Sequence, residues 1–112
     1  MKTQEQQHVY DVCNIIANQM GGKRFIESTK ATPAFYTAIK GNPALVYDLP
    51  EGCKYTRMMI IYDEGWDTYK MGFLNTDGDV QEIHNDVYCD QLQDIFSSVT
   101  GISTDDCRVV FA

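Results

Sequence analysis

The spacing with the clearest chemical content is a run of aspartates, Asp86, Asp90 and Asp94, repeated every four positions. On a helix that interval stacks side chains on one face. Like charges placed this way cost roughly 0.2–0.5 kcal/mol per pair, and Asp is a poor helix former to begin with. A helix N-terminus compensates Asp86 and Asp90 in part, but Asp94 lies past its first turn. Asp77, Asp79 and Glu82 just upstream bring the array to six carboxylates within residues 77–94. Such an array attracts a basic surface. The competing account is an edge strand kept from aggregating by its charge. Trp66, beside a turn, is either a buried staple or an apolar anchor for a partner.

Other residue groupings come near a chemical site without completing one. Asn75, Asp77 and Asp79 alternate as calcium ligands do, but a calcium loop needs glycine at its sixth position and an acid at its twelfth. Here the glycine is Gly78, the fourth position, which fits a tight hairpin instead. His84 and Cys89 have no second ligand pair at zinc spacing. The two histidines, His8 and His84, lie in no nucleophile motif, and Ser97-Ser98 has no strand-to-helix elbow before it. Gly21-Gly22-Lys23-Arg24 follows a helix, whereas a phosphate loop follows a strand and opens a helix. We therefore expect no enzyme, metal or cofactor. A nucleic-acid surface would have to use Lys23, Arg24, Lys30 and Lys40, with Tyr36 stacking on bases.

Charge is distributed unevenly. Residues 1–47 hold five Lys/Arg against three Asp/Glu, a net +2, and residues 48–112 hold four against thirteen, a net −9, which together give the formal −7. That balance repels nucleic acid and favours basic protein surfaces. The 112 residues suffice for one domain, 1–112, with a single core. The longest apolar run, Met58 to Ile61, is too short to enter a membrane, and the polar N-terminus does not read as a signal peptide. The expected location is cytoplasmic. Cys13, Cys53, Cys89 and Cys107 are widely spaced and read as free thiols.

The elements that must position these residues follow from periodicity and turn signals. Thr3 and Gln6 form a capping box for a first helix, whose apolar positions run from Val9 to Met20 and which Gly21-Gly22 ends. Phe25 and Ile26 fold back onto the core. Phe35–Ile39, Leu45–Leu49, Lys54–Asp63, Trp66–Leu74 and Val80–His84 read as strands separated by Gly, Pro and Asp turns, the last being a polar edge strand. Lys54–Asp63 is apolar on both faces, the mark of a central strand. A long helix is expected within Asn85–Thr104, built on Tyr88, Leu92, Ile95, Phe96 and Val99. The tail Arg108–Phe111 could add a strand. The predicted class is α+β: an N-terminal helix, an antiparallel meander of about five strands and a C-terminal helix, both helices on one sheet face.

Two segments carry a resemblance to a family of small, mostly uncharacterised phage and prophage proteins. Asn18–Ala31 is similar to the pattern Gln-Leu-Gly-Gly-x-x-Phe-Ile-x-Met-Thr-Gly-Ala, matching at Gln19, Gly21, Gly22, Phe25, Ile26, Thr29 and Ala31 and departing at Ser28 and Lys30. Asp86–Thr104 is similar to Asp-Val-Tyr-x-Asp-x-Leu-x-x-Ile-Phe-x-x-x-Thr-Gly. Together they span about a third of the chain. The resemblance implies a phage-borne protein and brings no catalytic residues with it. The expectation is an acidic, protein-binding inhibitor of a bacterial defence system, of the anti-CRISPR kind, acting in the host cytoplasm. Its partner would be a protein or nucleoprotein complex with a basic surface, contacted through Asp77, Asp79, Glu82, Asp86, Asp90, Asp94 and Trp66. The alternative is a nucleic-acid-binding accessory factor of a mobile element, working through Lys23, Arg24, Lys30 and Lys40. Oligomeric state is left open by the sequence.

Overall fold

The first helix starts where its capping chemistry dictates. In the computed structural model, which describes residues 3–111, Thr3 Oγ1 accepts the Gln6 amide at 3.1 Å and Gln6 Oε1 accepts the Thr3 amide at 2.9 Å. Helix α1 (Gln4–Met20) follows and buries Cys13, Ile16 and Met20 along one stripe. Gly21 ends it at φ 122°, and the chain at once re-enters a helix, α2 (Gly22–Thr29). The sequence reading foresaw Phe25 and Ile26 returning to the core but not that they do so on a helix of their own.

Five strands then form one antiparallel sheet in sequence order: β1 (Thr32–Ile39), β2 (Asn42–Asp48), β3 (Arg57–Asp63), β4 (Thr68–Leu74) and β5 (Val80–Val87). Helix α3 (Leu92–Thr100) completes the expected α+β order. Side-chain alternation sends Leu45, Tyr47, Met58, Ile60, Met71 and Phe73 toward one face, where they meet Cys13, Ile16, Met20, Phe25, Leu92 and Phe96 in a single core. Phe25 packs edge-on against both Phe96 at 4.9 Å and Tyr47 at 5.5 Å. Truncating either phenylalanine would cost about 3–5 kcal/mol. Among the described residues, no helix is long and apolar enough to cross a membrane.

Two expectations are corrected. The long helix within Asn85–Thr104 is shorter, because Asn85–Val87 continues β5: Val87 pairs with Tyr69 and is buried, so sheet pairing captures it before a helix can start. Asp86 sits there at φ 55°, Tyr88 is exposed, Cys89–Gln91 is a 3-10 turn, and α3 begins only at Leu92. Asp86, Asp90 and Asp94 therefore belong to a strand, a 3-10 turn and a helix, and do not form one helical stripe. The tail Arg108–Phe111 adds no strand. A 3-10 turn at Asp105–Cys107 buries Cys107 beside α3 instead. β3 is central in the sheet, as expected, and its residues that meet the helices are Met58 and Ile60.

Candidate functional site

The six carboxylates follow the outer strand from end to end. Asp77 and Asp79 occupy the β4–β5 turn, Glu82 and Asp86 lie on β5, Asp90 is in the 3-10 turn and Asp94 is in the first turn of α3. From Asp79 to Asp86 the extended chain spans about 23 Å at roughly 3.3 Å per residue. β5 is an edge of the sheet, as its polar sequence predicts, and register shifts interrupt its pairing with β4 twice. Bulges and charge together are how proteins keep an edge from pairing with another chain.

Their surroundings divide the six into two groups. Asp77, Asp79, Asp86 and Asp90 are exposed, and among the described residues none forms an ion pair. Glu82 is engaged: it accepts the Tyr55 hydroxyl at 3.0 Å and pairs with His84 Nε2 at 2.7 Å. Those two hydrogen bonds, His84 first, hold its carboxyl below the usual carboxylate range. Asp94 is engaged as well, accepting Arg108 Nη1 at 2.8 Å, and that bond raises the already high pKa of the guanidinium. Asp86 and Asp94 border one shallow hollow of about 440 Å³ between the end of β5 and α3.

Trp66 resolves toward the exposed alternative. It projects from the β3–β4 turn with 78% of its surface accessible, while its backbone amide and that of Gly65 donate to Asp63 Oδ1. The turn is thus fixed by Asp63 while the indole is left in solvent. Because Tyr69 pairs with Val87, Trp66 and Asp86 lie toward the same end of the sheet, and Asp77 and Asp79 toward the other.

The Asn75–Asp79 segment is a turn held by its own backbone. Asn75 Oδ1 accepts the amides of Asp77 and Asp79 at 3.1 and 3.0 Å, so its oxygen is spent within the loop. The alternative basic surface is not brought together. Lys23 and Arg24 are on α2, Lys30 caps its end and Lys40 lies beyond the far end of β1, eight residues of strand away from Lys30. Arg24 donates to the Asp106 carbonyl at 3.1 Å. Tyr36 is exposed, packs on Tyr10 at 5.6 Å and donates its hydroxyl to Asn14 Oδ1 at 3.0 Å.

The sequence reading missed Gln93. This side chain is 5% exposed, and its Nε2 donates to the Met20 carbonyl at 2.7 Å and to the Cys107 carbonyl at 2.8 Å, tying α1, α3 and the last 3-10 turn together. Gly21 lies against the same junction: a Cβ there would stand 3.0 Å from Gln93 Nε2 and 3.1 Å from the Cys107 carbonyl oxygen. Gln19 accepts the Tyr69 hydroxyl at 2.6 Å, and Thr29 donates to the Phe25 carbonyl at 2.7 Å. The two family-like segments therefore meet each other in space and serve the core. A signal for Gln93 existed, since it stands three residues before Phe96 and four after Cys89, on the buried side of the helix. Comparison with protein-family models, with curated proteins and with solved structures gave no match to this chain.

Proposed function

We propose that this chain is a phage-encoded anti-defence protein of the anti-CRISPR kind, which binds a basic, nucleic-acid-binding surface of a bacterial nuclease complex through its acidic β5 edge. The observation that carries the reading is the set of four exposed carboxylates without ion-pair partners, Asp77, Asp79, Asp86 and Asp90, along one sheet edge. On a chain of net charge −7 they leave a strongly negative rim facing solvent. Carboxylates there stand in for phosphates, speeding association and making it salt-sensitive once the screening length falls to about 8 Å at physiological ionic strength. Trp66 supplies apolar contact at the same end as Asp86. Glu82 and Asp94, spent on internal partners, contribute less.

The test is displacement of labelled DNA from purified CRISPR effector complexes, with phage plating on an immune host as the cellular readout. Wild-type chain displaces DNA and restores plating, less effectively as salt rises. Asp79→Asn, Asp86→Asn and Asp90→Asn together abolish both, and Asn at position 86 tolerates the left-handed backbone. Arg108→Ala releases Asp94 and accelerates association. Displacement unaffected by the triple substitution, or no displacement from any effector type, would overturn the reading.

A further inference from the structure

The two edges of the sheet are built differently. β5 is charged and its pairing is interrupted twice, whereas β1 carries no charged residue and leaves Phe35, Tyr36 and Ile39 exposed. Which backbone groups β1 offers to solvent follows from its hairpin. Lys40 and Gly41 both have positive φ, 51° and 83°, and form a two-residue turn closed by the Ile39–Asn42 pair. The closing pair of such a turn exchanges both hydrogen bonds, so by alternation Thr37 and Ala44 exchange theirs and the Ala38–Pro43 pair does not. Pro43 has no N–H and fits that phase. Cys13 marks it as well, its thiol donating to the Ala44 carbonyl at 3.3 Å while the Thr37 amide points to the sulfur. Tyr36 and Ala38 therefore direct N–H and C=O outward, and among the described residues β1 has β2 as its one sheet neighbour.

We infer that β1 pairs antiparallel with β1 of a second copy about a two-fold axis at Thr37, joining two sheets into one of ten strands. In that register outward groups meet outward groups: Tyr36 lies opposite the partner's Ala38, and Ala38 opposite the partner's Tyr36, in two hydrogen-bond-exchanging pairs. Shape selects this occupant over a foreign strand. Beside the small Ala38 lies an open hollow of about 460 Å³, lined by Val9, Tyr10 and Tyr36, and the pairing sets the partner's Tyr36 over it. On the other face Thr37 meets the partner's Thr37 and Phe35 the partner's Ile39, both favourable cross-strand pairs. The helices agree with the strands. α1 straddles β1 and β2, reaching Ala44 through Cys13 and Tyr36 through Tyr10 and Asn14. A helix midway between those strands stands about 4.8 Å from the axis, so the two copies of α1 lie about 10 Å apart, the spacing of packed helices. A foreign strand brings no such helix. The acidic β5 edges end up nine strand spacings apart, about 43 Å, well beyond the ~8 Å screening length, so they do not oppose the contact.

Light scattering coupled to gel filtration tests the inference on the full chain, which is expected at twice the 12.7 kDa chain mass at micromolar concentration. Ala38→Pro removes an outward N–H and no hydrogen bond within the chain, a change edge strands tolerate. With two hydrogen bonds lost per dimer, the dissociation constant rises roughly thirtyfold. Trp66→Ala, on the β3–β4 turn, leaves the dimer intact. Should Ala38→Pro fail to fold, a cross-link at position 37 decides. The Cα atoms of a non-exchanging antiparallel pair are about 4.5 Å apart, within disulfide range. In a Cys53→Ser, Cys89→Ser background, mild oxidation therefore links Thr37→Cys into a covalent dimer but not Phe35→Cys, which lies opposite the partner's Ile39. A monomer at every concentration, a dimer unaffected by a folded Ala38→Pro, or cross-linking equally efficient at positions 35 and 37 overturns the inference.

Discussion

Replacing Gln93 by Leu keeps the side chain's bulk and helix propensity but removes the donor that two buried carbonyl oxygens share. The Met20 and Cys107 carbonyls sit at 2.7 and 2.8 Å from Nε2, in a position 5% exposed to water. A buried acceptor left without a partner costs ~1–3 kcal/mol, so two of them, partly offset by added apolar burial, cost about 3 kcal/mol. For a domain of this size that lowers the melting temperature by roughly 10–20 °C. Thermal melts followed by circular dichroism measure it directly. Gln93→Glu sharpens the test, because a carboxylate facing two carbonyl oxygens is repelled while its protonated form donates to one of them. The folded-state pKa of that glutamate is raised, so the variant is most stable below the unfolded glutamate pKa and weakens as pH rises through the folded value. A Gln93→Leu protein melting within about 3 °C of wild type would refute the claim that this amide holds the junction.

Three more outcomes are expected. Gly21→Ala destabilises far more than Gly101→Ala, because both have positive φ but only Gly21 has neighbours where the methyl would go; urea titration of the two variants ranks them. Glu82 has a lowered folded-state pKa, so its small, partly exposed contribution is present above pH 4.5 and disappears as pH falls through the folded value; Tyr55→Phe with His84→Gln flattens that segment of the stability–pH curve. Cys53 and Cys89, both partly exposed, react with a thiol reagent in the native protein, whereas Cys13 and Cys107 react only on unfolding, Cys13 also because burial lifts its thiol pKa to about 11.

How far the sequence spoke depended on whether the deciding contact was local. The Thr3–Gln6 box, the Gly21 stop and the turns between strands are each set within a few residues, and all were legible. Residues 85–91 were misread because Val87 and Tyr88 suit a helical stripe and an edge strand equally well. The arbiter is Tyr69, a partner that periodicity cannot reveal. β3 was legible as the central strand from its apolar run, and the strand order places it there with two strands on either side. The carboxylate positions were found, although which were free depended on Arg108, Tyr55 and His84, whose side chains arrive from other elements.

Strand order that equals sequence order has a consequence for how the molecule assembles. Each strand pairs with the one made just before it, so the sheet can grow as successive hairpins, with little loop entropy to overcome at any step. The contacts that span the chain include those from Met20 and Gly21 to Gln93 and Cys107, from Arg24 to Asp106 and from Phe25 to Phe96. A nascent chain could therefore zip its strands early, yet the layer that shields them locks only after the last dozen or so residues are free to move. Truncations that spare every strand but remove that final turn should leave a sheet with a loosely seated lid.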